Sequence, residues 1–131
     1  MGQQQLLLII LGVIIVGIAI AVGLSLFTSQ SIQSNKDAII NDINNLAASA
    51  YQYRIRPASM GGGAGSFTGW TIPVKMSSNE NGGYATTALS ADAVAIQGTS
   101  SNAPANKITG HVGSDGRVTM VPADDFTGEF K

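Results

Sequence analysis

Hydrophobic and polar positions divide the chain into three stretches with different patterns. From Leu6 to Phe27 the side chains stay apolar for 22 residues, broken only by Ser25. A helix that is apolar all round must be buried in protein or in lipid. At about 1.5 Å per residue this one is roughly 33 Å long, close to the thickness of a bilayer's hydrocarbon core. After the polar patch Thr28-Ser-Gln-Ser31, apolar residues return at Ile32, Ile39, Ile40, Ile43, Leu46, Ala47, Ala50, Tyr51 and Tyr53. Spacings of three, four and seven mark one face of a helix, and Lys36, Asp37, Asp42, Asn44 and Asn45 lie largely off that face. No proline occurs before Pro57, and the residue before a proline is pushed out of the helical region. The pattern predicts one helix from about Gln4 to Ile55.

Beyond Pro57 the periodicity changes and Gly, Ser and Thr become frequent. Met60-Gly-Gly-Gly-Ala-Gly-Ser66 reads as a flexible loop. Short β-like runs follow at Trp70–Met76, Tyr84–Leu89, Ala93–Gln97, Lys107–Val112 and Arg117–Val121. Pro73 confines the first of these to an edge or breaks it. Gly113-Ser-Asp-Gly116 between the last two is a hairpin signal. Ile108, Val112, Val118 and Met120 supply the buried face of that hairpin. The expected fold is α+β: a long N-terminal helix of about 50 residues, with a small antiparallel sheet packed on its C-terminal half around Ile39, Ile43, Leu46 and Ala50. Three segments result: an apolar helix over 1–28, its amphipathic continuation over 29–56, and a small β-rich domain over 57–131.

Charge and composition narrow the function. Charged residues are 11% of the chain, the net charge is −1, and none of them precedes Lys36. A near-neutral chain has no electrostatic reason to seek nucleic acid, and none is expected as a partner. There are no cysteines and a single histidine, His111. Disulfides, thiolate catalysis and multi-histidine metal sites are excluded. The Gly61–Ser66 run lacks the lysine of a phosphate loop and follows a helix rather than a strand. His111 has no carboxylate near it in sequence and reads as structural or solvated. Asp124-Asp125 reads as a solvated turn, with weak Ca²⁺ binding as the other possibility. Arg54 and Arg56 read as solvated cations suited to a helix C-terminus, with binding of an anion or a neighbouring subunit as the other possibility. The aromatics form no regular stripe. No catalytic, cofactor or metal site is expected, and no enzymatic activity.

An uncharged apolar helix that runs into an amphipathic half and then a small β domain resembles the type IV pilin superfamily, specifically over about residues 1–56. The stretch Ala50–Pro73 is also similar to pilin-like proteins of environmental bacteria. The resemblance implies a short basic leader ending in Gly, removed by a prepilin peptidase. Met1 would then be the first mature residue, often methylated, and the missing basic flank before Leu6 is accounted for; a cut after Gly2 is the other option. It implies a structural subunit of an extracellular type IV pilus-like filament, held in the membrane before assembly. The filament core would be built from Met1, Gln5, Leu6, Leu8, Ile10, Leu11, Ile14, Ile15, Ile18, Val22, Leu24 and Phe27. The implied partners are further copies of the chain, an assembly ATPase and a platform protein, and the family's roles are adhesion and motility. Two rivals remain: a minor pilin or pseudopilin of a type II secretion-like system, and a monomeric membrane-anchored binding module. Three features depart from the family. Gln5 stands where a glutamate is usual, Val22 where a helix-breaking proline is common, and the C-terminal cysteine pair is absent.

Overall fold

The computed structural model describes residues 2–121 and 124–130. Its first element is α1, Gly2–Ile55, which passes Gly17 and Gly23 without interruption. The helix ends where Pro57 requires. Arg56 still donates its N–H to Gln52 O at 3.1 Å, and the chain then turns away. The last carbonyls of a helix have no intrahelical donors. Here the glycine-rich loop supplies them: Gly63 N–H donates to Tyr53 O at 2.8 Å, Gly65 N–H to Arg54 O at 2.6 Å, and Ala64 N–H to Arg56 O at 3.0 Å. The expectation of a flexible loop is therefore corrected to a hydrogen-bonded cap. Glycine is needed for the close approach, since a Cβ on Gly63 would fall 1.8 Å from Ser66 O.

The chain divides into two units, Met1–Gln33 and Ser34–Lys131. In the second, α1 residues from Ser34 onward are covered by one antiparallel sheet. Its strands are β1 (Gly82–Leu89), β2 (Val94–Ser100), β3 (Lys107–Val112) and β4 (Val118–Thr119), in the order β1-β2-β3-β4. Tyr84 pairs with Gly98, and Gly98 with Ile108, so these three form a row across the sheet. That row faces the helix, because Tyr84 Oη reaches Asp42 and Gly98 lies against Ile39. Two residues along β3, and so on the same face, Gly110 lies against Ile43, and in the hairpin turn Gly116 lies against the Tyr51 ring. A strand glycine often marks such a close backbone approach.

The core is the predicted helical stripe plus what the sheet and loops bring to it. Ile39, Ile43, Leu46, Ala47 and Ala50 are buried, with Ile96, Ile108 and Val112 from the sheet and Phe67, Phe126 and Phe130 from the loops. Each large apolar side chain so buried contributes about 1.5–3 kcal/mol relative to exposure. Lys36 covers Phe126, its Nζ 4.7 Å from the ring centroid. The α+β architecture is as expected from the sequence.

Some boundaries differ. Trp70–Met76 contains no strand. Trp70 is buried, and Val74–Met76 is a 3-10 turn started by Pro73, which has no N–H to give a sheet ladder. The last strand is two residues long rather than five, and Val118 and Met120 are half-buried. The hairpin turn is as expected: Gly113 N–H donates to Arg117 O at 3.0 Å, Asp115 Oδ1 accepts from Arg117 N–H at 3.0 Å, and Gly116 has φ of +81°.

Candidate assembly surface

The first unit has a helical backbone and no core of its own. Gln5, Leu6, Leu8, Ile10, Leu11, Ile14, Ile15, Ile18, Val22, Leu24 and Phe27 are all exposed, the large apolar ones from 53% to 73%. Met1 lies outside the described residues. Leu7, Ile9, Val13, Val16, Ile20 and Leu26 are exposed to the same degree. A helix apolar on every side gives no periodic signal to separate one face from another, so the sequence could not rank these positions. The segment is long and apolar enough to cross a membrane, and is compatible with anchoring there. Its backbone makes its own hydrogen bonds, and Thr28 Oγ1 returns to Leu24 O at 2.9 Å. In lipid that internal satisfaction is what a spanning segment needs.

In the second unit, three polar groupings fix the sheet to the helix. Asp42 Oδ2 accepts from Tyr84 Oη at 2.5 Å, Asn79 Nδ2 at 2.9 Å and Asn81 Nδ2 at 3.2 Å. Burial acts to raise the Asp42 pKa, but the three donors together hold it below the usual carboxylate value. Tyr84 is shifted the other way, upward, by burial and by the carboxylate beside it. Two turns nearer the start of this unit, Ser100 Oγ donates to Asn35 Oδ1 at 2.6 Å and Asn35 Nδ2 donates to Asn81 O at 3.1 Å. At the helix end, Arg54 Nη1 donates to Ser114 O at 2.9 Å. Its Nη2 lies 3.8 Å from Asp92, and the guanidinium sits over the Phe67 ring. Arg54 is thus a clamp on three loops rather than the solvated cation expected. Arg56 is exposed as expected.

His111 and Asp125 are brought together by the fold. Asp125 Oδ1 lies 2.8 Å from His111 Nε2, and Oδ2 accepts the Val121 N–H at 2.7 Å. Burial acts to raise the Asp125 pKa, and the Val121 N–H and His111 together hold it below the ordinary range. The solvated-turn reading is corrected for Asp125, which is buried, and holds for Asp124, which is exposed. Both oxygens of Asp125 are engaged. Among the described residues no group of three or more His, Asp or Glu is arranged to hold a metal ion. His111, half-exposed, borders a recess of about 150 Å³ between the end of β1 and the start of β2. Ser90, on the same recess, exchanges hydrogen bonds with the Ala93 backbone, O–H to O and N–H to Oγ, both at 3.1 Å. Its hydroxyl is a staple for the β1–β2 turn.

The His111–Asp125 pairing was invisible in sequence because it spans a return of the chain to the sheet. There Thr109 N–H donates to Asp125 O at 2.9 Å. The Asp42–Tyr84 bond was not legible either: by its spacing Asp42 lies largely off the apolar stripe, and Tyr84 reaches it only through tertiary folding. A scan against protein-family models found no match, and searches of curated proteins and of solved structures found none either.

Proposed function

We propose that this chain is the structural subunit of an extracellular type IV pilus-like filament. It is held in a membrane by the Leu6–Phe27 helix, then packed with other copies into a helical bundle. One observation carries the reading: Leu6–Phe27 is exposed on every side, while Ser34–Lys131 has a core of its own without it. A surface of that kind demands burial elsewhere. Measured from water, each Leu or Ile contributes about 1.5–3 kcal/mol on burial. Measured from lipid that gain largely disappears, and close helix contact must replace it. Gly12, Gly17 and Gly23 leave open surface where another backbone can approach, and Ala19 and Ala21 add small side chains. The resemblance supplies the remaining parts: prepilin peptidase, ATPase and platform as partners, with the folded unit on the outside.

Negative-stain microscopy of material sheared from cells producing the chain tests this. Long filaments that disappear with Ile14→Asp are the expected result. Recovery of the protein only as a membrane-bound monomer would favour the anchored binding module. Short caps in place of fibres would favour the minor pilin.

A further inference from the structure

Asn81–Gly82 is the single Asn–Gly pair in the chain. Such a pair is chemically labile in water. The backbone nitrogen after an asparagine can attack that residue's side-chain amide carbon, and glycine has no side chain to shield the approach. The other asparagines are each followed by a residue that has one. The fold demands this glycine. Gly82 opens β1 opposite Ser100, and a Cβ there would fall 2.0 Å from Thr99 O. The labile pair is therefore built into the start of the sheet.

The same fold restrains the groups that would react. The attacking group, Gly82 N–H, donates to Asn79 Oδ1 at 3.2 Å, and Asn81 N–H donates to the same oxygen at 2.9 Å. The leaving group, Asn81 Nδ2, donates to Asp42 Oδ2 at 3.2 Å. The backbone carbonyl between them accepts from Ser101 N–H at 3.2 Å and from Asn35 Nδ2 at 3.1 Å. Attack requires Gly82 to give up its N–H proton and the Asn81 side chain to swing from Asp42 onto its own backbone. Partners from α1, from Asn79 and from the residue after β2 oppose both movements. The Asp42 carboxylate adds a further obstacle, because negative charge beside the amide disfavours the anion that attack creates.

We infer that Asn81 is a deamidation site closed by folding, which converts only when the segment from Asn79 to Gly82 opens. Gly82 N bonds to Asn81 Cγ, the Cγ–Nδ2 bond breaks, and ammonia leaves with the proton from Gly82. Water then opens the cyclic imide at either carbonyl and gives aspartate or isoaspartate. The net change is water in and ammonia out, with no redox step. The product cannot rebuild the seam. A carboxylate at this position has no N–H to give Asp42 and meets its like charge. Isoaspartate also lengthens the backbone where β1 begins. A copy left unfolded thus takes on a permanent mark that weakens its return to the fold, in a membrane or in a filament alike.

Full-length protein in detergent at mildly alkaline pH tests this, with conversion read by peptide mapping and mass spectrometry. In urea that unfolds the Ser34–Lys131 unit, Asn81 should convert before any other asparagine. In the folded protein it should convert at least about tenfold more slowly, since reaction then waits on local opening. Asn79→Ala frees Gly82 N–H and should raise the folded rate about fivefold, the worth of one hydrogen bond, with the rate in urea unchanged. Equal rates in folded and unfolded protein would overturn the proposal, as would another asparagine converting first or no effect of Asn79→Ala. Should that variant fail to fold, the rate in the unchanged chain below its unfolding midpoint decides the point. A rate that climbs with urea supports closure by the fold, and a rate independent of urea overturns it. Asn81→Asp, which carries the product's charge, should melt at a lower temperature than Asn81→Ala at neutral pH, because alanine loses only the hydrogen bond. Equal melting temperatures would overturn the clash with Asp42.

Discussion

Gly98 lies directly against Ile39: a Cβ on the glycine would stand 2.6 Å from Ile39 Cγ2. The helix can sit this low on the sheet only because the strand presents no side chain there. Gly98→Ala should lower the stability of the folded unit by about 1–3 kcal/mol through overpacking. Ile39→Ala removes the clashing carbon at the cost of a cavity, about 2–5 kcal/mol. The double variant should lose at least about 1 kcal/mol less than the two single losses added together. Urea midpoints of the four proteins measure this, and simple additivity would mean that the close approach is not a constraint.

Removing residues 1–28 should leave a soluble, folded monomer that forms no filaments. The core of Ser34–Lys131 contains no residue from the deleted segment. In the full chain, Ile14→Asp places a charge at a depth where insertion costs about 2.5–3.5 kcal/mol. It should abolish filaments with the β domain still folded. Light scattering and microscopy decide both; a truncated protein that still polymerised would place assembly in the β domain.

The polar seam sets the limits of pH tolerance. Asp42 and Asp125 have folded pKa values below their ordinary ones, so their contribution is present above about pH 4 and is lost as pH falls through the folded values. Tyr84 is shifted upward, so its contribution is complete below about pH 10 and is lost progressively above it. Tyr84→Phe should cost about 1.5 kcal/mol at neutral pH and flatten the alkaline fall. Asp42→Asn should flatten the acid fall. Thermal melts of the truncated protein between pH 3 and 11 test both.

Ala64 is the one non-glycine among the described residues with positive φ, at +50°. Its place in the cap on the helix end demands that backbone shape. Left-handed geometry costs an L-residue about 1–2 kcal/mol, against less than about 1 kcal/mol of extra chain entropy for glycine. Ala64→Gly should therefore raise stability by up to about 1 kcal/mol. A lower melting temperature would show that Ala64 bears no strain.

The helix and its buried stripe were legible because they depend on local rules. Pro57 stops the helix wherever the rest of the chain goes, and a spacing of three and four selects Ile39, Ile43, Leu46, Ala47 and Ala50. Strand centres were legible for the same reason, from β-branched runs between turn residues. The cap over Tyr53 and Arg54 was not, because a glycine run has no side chains to say what its N–H groups meet. Gly98 and Gly110 read as weak points in strands until the helix above them is known. Arg54 and Asp125 were misjudged because their partners, Ser114 and His111, are reached only through tertiary folding. Within Leu6–Phe27 the uniform composition that made the segment easy to see also hid any preferred face.

The absence of charge before Lys36 has a consequence for how a bundle of these helices responds to its surroundings. Added salt weakens attraction between exposed ions within a Debye length of about 10 Å at 0.1 M. A core without ionic side chains gives salt nothing to weaken, and strongly excluded salts tighten apolar burial instead. Cooling acts in the opposite direction, since apolar association loses strength towards low temperature. A filament held by this segment would therefore keep its core through changes in salinity, and would be most open to loosening by cold and by detergent.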